Sequence, residues 1–158
     1  QTHPTNSEAR YLREVTRPRL EEGLRRAGRD SRIELVAGPM IATGSTPEAV
    51  AHQRRAARES LIFTLSTPAY WPALEHHGWL EVGQQLRDYT RQGRWQEMDG
   101  LVPDEIVEAF VPAAPYEEIA DVLLEQYADV ADGVLFPVPA SPDDDPAARR
   151  AIERLRAA

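Results

Sequence analysis

Apolar residues recur at mostly three-to-five-residue spacing through Ala9, Leu12, Val15, Leu20 and Leu24, which predicts a helix between Ser7 and Gly28. Ser7 is the expected cap and Gly28 the left-handed closing residue, while Pro18 is expected to kink the helix or divide it in two. After the polar turn Arg29-Asp30-Ser31-Arg32 the pattern changes. Ile33 to Thr43 is nearly continuously apolar and lacks the alternation of a half-exposed strand, so it predicts a strand buried on both faces. Gly44-Ser45-Thr46-Pro47-Glu48 then supplies a turn, a cap at Thr46 and a proline at the first position of a helix that runs to about Leu65.

Leu80, Val82, Leu86 and Tyr89 mark another helix, which stops at Gly93. A short turn with Trp95 and Met98 follows, and Pro103-Asp104-Glu105 opens a helix carrying Ile106, Val107 and Phe110. Beyond the link Pro112-Ala113-Ala114-Pro115, Tyr116 to Tyr127 reads as an amphipathic helix and Gly133 to Val138 as a second buried strand. Asp143-Asp144-Asp145-Pro146 is the expected cap of a last helix bearing Ile152 and Leu155. This order is of the α/β class, and two unalternating strands joined by helical crossovers are expected to pair in parallel. Two strands close neither a barrel nor a doubly wound sheet. The chain is therefore expected to be part of a larger sheet or to complete one through a partner.

Between the helical patterns lies Ser66 to Trp79, with two Trp, one Tyr and two His among two Pro and a Gly. So much aromatic surface points to a lid or pocket wall, with a plug at the end of a core as the other reading. The 158 residues are 42% apolar, enough for the core of one domain. A formal charge of -8, with arginines dispersed along helices, argues against a nucleic-acid surface. No apolar run approaches the roughly 20 residues that span a bilayer, and a soluble cytoplasmic protein is expected. The absence of Cys removes disulfides, thiolate nucleophiles and sulfur-ligated metals. The loop-like opening Gln1-Thr2-His3-Pro4-Thr5-Asn6, without an initiator Met, predicts that Gln1 is not the biological start.

The polar motifs are sparse. His76 and His77 are adjacent, so they diverge by about 100° on a helix, and metal binding is not expected of them. Dinucleotide, P-loop and nucleophile-elbow motifs are absent. His3 with Thr2, Thr5 and Asn6 is the one compact polar cluster ahead of a helix. On spacing alone this is a helix-capping loop with an incidental His. If a strand ends just before Gln1, the same residues stand at its carboxyl end, where α/β barrels do their chemistry.

Several separated motifs occur together in order: Thr2-His3-Pro4-Thr5-Asn6-Ser7 with Tyr11-Leu12-Arg13-Glu14, Ser66-Thr67-Pro68-Ala69-Tyr70 with His77-Gly78-Trp79, and Gln92-Gly93-Arg94-Trp95 with Met98. In this arrangement the chain, from Thr2 to about Pro139, resembles the carboxyl-terminal half of luciferase-like oxidoreductases, most closely the actinobacterial group predicted to use the deazaflavin F420. The resemblance implies the last strands of a (β/α)8 barrel in a single partial domain: helix and buried strand over 1–44, a helical insertion over 45–113, and a last helix-strand-helix over 114–158. It implies hydride transfer between coenzyme F420, or alternatively FMN, and a small organic substrate. It assigns His3 a catalytic role, Thr5, Asn6, Thr43 and Gly44 to the cofactor, and Tyr70 and Trp71 to the substrate pocket. No metal, nucleic acid or membrane is implied. Two departures stand out. Ala114-Pro115-Tyr116-Glu117-Glu118 replaces the family's glycine-led Thr-Pro-Glu-Glu helix start, and the amino-terminal half, with its glycine-rich phosphate segment, is absent. Either that half or a homo-oligomer is the expected partner. Two alternatives remain open at this point: a non-catalytic helical remnant or interaction module, and a small-ligand binder that uses only the aromatic pocket.

Overall fold

The computed structural model describes residues 1–158. Ala9–Tyr11 (α1) runs through a wide turn at Leu12–Thr16 into Arg17–Arg26 (α2), and the Arg17 N–H reaches back five residues to the Leu12 carbonyl. The wide turn ends two residues before Pro18, which has no N–H and whose ring crowds the carbonyl four residues back, within that turn, so the helix absorbs the proline there without breaking. Gly28 closes it at φ 60°, and the Arg29 N–H returns to the Leu24 carbonyl at 3.0 Å. The expected cap is corrected by one residue. Glu8, not Ser7, caps the helix, accepting the Arg10 and Tyr11 N–H groups at 2.9 and 2.7 Å.

The two predicted strands pair in parallel, but both are short. Val36–Ala37 (β1) lies against Gly133–Val134 (β2), with Val36 opposite Gly133. Prolines end both ladders. Pro39 has no N–H, and the Gly38 N–H just before it goes to the Ser7 hydroxyl, so β1 stops well short of Thr43. Pro137 ends β2 in the same way before Val138. The chain from Gly38 onward resumes pairing only at Ala42, which bridges in parallel to Ala113. On the other edge of β1, the Thr2 N–H bonds the Val36 carbonyl at 2.9 Å.

The expectation that both faces of the strands are buried is also corrected. Leu35, Ala37, Val134 and Phe136 pack beneath Ile119–Tyr127 (α7) and Asp145–Ala157 (α8), in a core with Leu12, Leu123 and Tyr127. Leu135, between Val134 and Phe136, must point to the opposite side of the sheet and is 44% exposed. An apolar strand sequence needs two covering layers, and this chain provides one. The α7 helix begins later than expected, at Ile119, after a turn in which the Tyr116 N–H bonds the Gly44 carbonyl. The acidic run does not cap α8 either. The Ser141 hydroxyl accepts the Asp143 N–H at 3.2 Å, and Asp144 receives the Ser45 hydroxyl.

A second core is mainly helical, with Ala42 of the parallel bridge at its edge. It joins Pro47–Leu65 (α3), capped by Thr46 as expected, with Pro72–His77 (α4), Leu80–Arg91 (α5) and Asp104–Phe110 (α6). Leu61, Leu65, Leu74, Leu86, Met98, Ile106 and Phe110 fill its centre. Tyr11 belongs to this core and Leu12 to the core under the sheet, so neighbouring residues of one helix serve both. No helix is long and apolar enough to cross a membrane.

Asp132 stitches β1 to β2. Its carboxylate accepts the Leu35 N–H at 2.8 Å and an Arg17 N–H at 3.1 Å, and its own N–H bonds the Leu35 carbonyl at 2.8 Å. The Leu35 amide, then Arg17 and Arg32, hold its carboxyl below the ordinary value of 3.8. A depressed folded value means that this stabilisation is complete above the unfolded value and is lost as pH falls through the folded one. Asp132→Ala is therefore expected to lower the melting temperature at neutral pH. The gap to the parent protein should narrow between roughly pH 5 and pH 3, as followed by thermal melts across that range.

Candidate functional site

The carboxyl ends of the strands carry the polar residues singled out from the sequence. Residues 1–2 run beside β1, and the chain then turns through Pro4–Asn6, with His3 as the cap of that turn. The His3 Nδ1 accepts the Thr5 N–H at 3.4 Å and lies 2.9 Å from the Thr5 hydroxyl. Because the amide is only a donor, Nδ1 is the acceptor nitrogen and the neutral ring carries its proton on Nε2. Thr5 is fully buried, so it touches His3 from below and orients it. The exposed His3 ring stacks on Tyr70, centroids 4.5 Å apart and planes within 10°. A loop at a strand end and the aromatic insertion, 67 residues apart in sequence, thus form one wall.

Two buried side-chain polar atoms have no hydrogen-bond partner, Asn6 Oδ1 and Thr43 Oγ1. Asn6 follows residues 1–2, where the Thr2 N–H bonds β1, and Thr43 follows the parallel bridge at Ala42. Burying such atoms unpaired costs about 1–3 kcal/mol each, so their presence calls for a ligand group or a water. Gly44 has a different function from Thr43. A Cβ there would fall 2.7 Å from the Ala49 side chain, so glycine is what lets the first turn of α3 approach the strand.

Tyr70 and Trp71 part company in the structure. Trp71 donates its indole N–H to the Leu65 carbonyl at 2.7 Å, and its ring lies against Gly83 of α5, where a Cβ would come within 2.6 Å of the indole nitrogen. That is a packing role in the helical core. Tyr70 is half-buried and faces His3.

The adjacent histidines are used separately. His77 Nε2 is 2.7 Å from Glu8 Oε2, both side chains buried, and its ring stacks on Trp79 at 4.3 Å. His76 Nε2 is 2.7 Å from Glu14, and together with Arg10 it holds that carboxyl below its ordinary range. None of Ser7, Glu8, His77 and Tyr127 is assigned to the site from the sequence, although Ser7 is the expected helix cap and His77 lies in the His77-Gly78-Trp79 motif. Tyr127 donates to the Ser7 carbonyl at 3.0 Å, and burial pushes its phenol upward. Ser7-Glu8 ahead of an apolar helix was the available signal, but their partners lie dozens of residues away.

The architecture is that of the carboxyl-terminal part of a TIM-type barrel. It superposes on coenzyme F420 dependent tetrahydromethanopterin reductase from Methanopyrus kandleri with a TM-score of 0.61 and 24% identity, over 97% of this chain and 41% of that one. The model of the luciferase-like monooxygenases matches residues 2–133, and the chain belongs to that family of oxidoreductase type. Uncharacterized proteins of Mycobacterium tuberculosis and Mycobacterium bovis are 40% identical over 134 residues, which is 84% of this chain. The chain spans 39% of the length of these relatives.

The two aromatic residues give separable expectations. Trp71→Ala should cost about 3–5 kcal/mol, as truncation of a packed aromatic does. Tyr70→Ala should cost about 0.5–1.5 kcal/mol, the worth of its ring pair. Urea denaturation of both variants measures this, and equal losses would make Tyr70 a core plug and not a wall of the site.

Proposed function

We propose that this chain is the carboxyl-terminal portion of a luciferase-like oxidoreductase acting on a small organic substrate with coenzyme F420, or alternatively FMN. The observation that carries the reading is the pair of orphaned buried atoms, Asn6 Oδ1 and Thr43 Oγ1, in a chain whose strand-end loop also carries the His3–Tyr70 stack. A deazaflavin or flavin ring has an edge of alternating carbonyl and N–H groups, to which an amide oxygen and a hydroxyl are the fitting complements. Such a ring, when bound, supplies the hydride transfer.

The roles of the side chains follow from their chemistry. Thr43 would donate its hydroxyl hydrogen to a ring carbonyl, and Asn6 Oδ1 would accept a ring N–H. His3, its tautomer set by Thr5, would offer Nε2–H to an oxygen of the substrate or ring and carry the catalytic role. Tyr70 limits the pocket, and the helical insertion over 45–113 excludes water from it. Gly44 and Trp71 act one layer back, by letting α3 approach and by holding Tyr70's segment. The uncovered face at Leu135 and the 90% exposed Val138 support one partner, the rest of a family-length barrel, over a homo-oligomer. A cytoplasmic setting accords with the lack of cysteine.

Fluorescence titration with F420 and with FMN tests the reading, on this chain and on a polypeptide of the length of the mycobacterial relatives. The longer polypeptide is expected to bind one of the two rings, and binding of neither overturns the proposal. Thr43→Val removes one hydroxyl at nearly constant volume. It should leave stability equal or higher, since an unpaired buried group is lost, and weaken ring affinity about tenfold, the worth of one hydrogen bond.

A further inference from the structure

The first 31 residues carry His3, and the insertion over 45–113 carries Tyr70. Only two hydrogen bonds link these segments, His77 to Glu8 and His76 to Glu14. They differ in kind. The His76 pair is open to solvent, with side chains 24% and 45% exposed, and exposed pairs contribute little. The His77 pair is 8% and 6% exposed. Its carboxylate also takes the Arg10 and Tyr11 N–H groups, so both oxygens are engaged and direction is imposed on every donor. Stacking on Trp79 with planes within 6° fixes the imidazole from the side.

Short, hydrogen-bonded segments lead from this pair to the two stacked rings. On one side, Ser7 donates its hydroxyl to the His3 carbonyl at 2.9 Å, and the Asn6 N–H bonds the same carbonyl at 2.8 Å. On the other, α4 ends at His77 and begins at Pro72, directly after Trp71, and the Glu75 N–H returns to the Trp71 carbonyl at 2.8 Å. Apolar contacts between these parts tolerate sliding, whereas a buried, directional hydrogen bond of this length does not.

We propose that the Glu8–His77 pair is a positioning device that sets the register of the aromatic insertion against the strand-end loop, and thereby the stacking of Tyr70 on His3. Neither residue touches the ring or substrate. The proposal deepens the assignment of the His3 wall as the site. Its test uses no cofactor, so its failure is distinguishable from failure of the oxidoreductase reading.

The readout is the proton–carbon NMR spectrum of the His3 imidazole, whose signals are displaced by the Tyr70 ring current. Tyr70→Leu defines the undisplaced position. His77→Gln places an amide donor where Nε2 stands and is expected to keep most of the displacement, while His77→Asn is too short to reach Glu8 and is expected to lose it. His77→Ala should behave as His77→Asn does. If His77→Ala does not fold, the Gln and Asn variants decide, since both retain a polar side chain. A His3 displacement equal in the Gln and Asn variants overturns the proposal, even where both melt at lower temperature, because the pair would then serve stability alone.

Discussion

A carboxylate buried at the start of a helix is tolerated only when its oxygens are occupied by donors, and at Glu8 that requirement joins the two halves of the molecule. Two backbone amides of the helix and one imidazole of the insertion converge on it. The residue before it works in the opposite direction. Ser7 receives the Gly38 N–H, donates to the His3 carbonyl, and offers its own carbonyl to Tyr127. Two consecutive residues thus tie the strand-end loop to the sheet and the helix to the insertion. The division continues at Tyr11 and Leu12, one in each core.

Around this junction the chemistry collects where the ladders stop. Pro4, Pro39 and Pro137 each stand at a point where a strand-like run gives way to a loop, because proline has no amide to continue the pairing. The ladders are accordingly brief, and the polar residues past them are held by side chains instead of by neighbouring strands. Thr5 beneath His3 is an instance: its backbone amide makes Nδ1 of an exposed ring the accepting nitrogen, and its buried hydroxyl lies beside the same atom. The orphaned oxygens of Asn6 and Thr43 are the converse, buried atoms that the fold has left unpaired. Membership of the luciferase-like family gives those atoms a chemical context, and the bare face of the sheet at Leu135 agrees with a chain that covers two fifths of its relatives.

Much of this was legible in the chain itself. Helix α3 begins at Pro47 behind a Thr46 cap, and α2 ends in a turn closed by a left-handed Gly28, because caps and breakers act over three or four residues and are written locally. Parallel pairing of the two apolar runs followed from their lack of alternation and the length of the crossover. The order of motifs was enough to place the chain in its family, and His3, Asn6 and Thr43 were marked before any geometry was known. What the sequence could not determine was how those elements are held against one another. A hydrogen bond between residues 69 positions apart, such as that of His77 to Glu8, leaves no periodic trace in either segment. The same holds for the divergence of Tyr70 and Trp71, identical in local context and separated only by which neighbour each ring meets. Apolarity states that a strand wants cover on both faces, but only the tertiary structure decides whether this chain supplies the second layer, since burial belongs to the whole assembly and not to the segment.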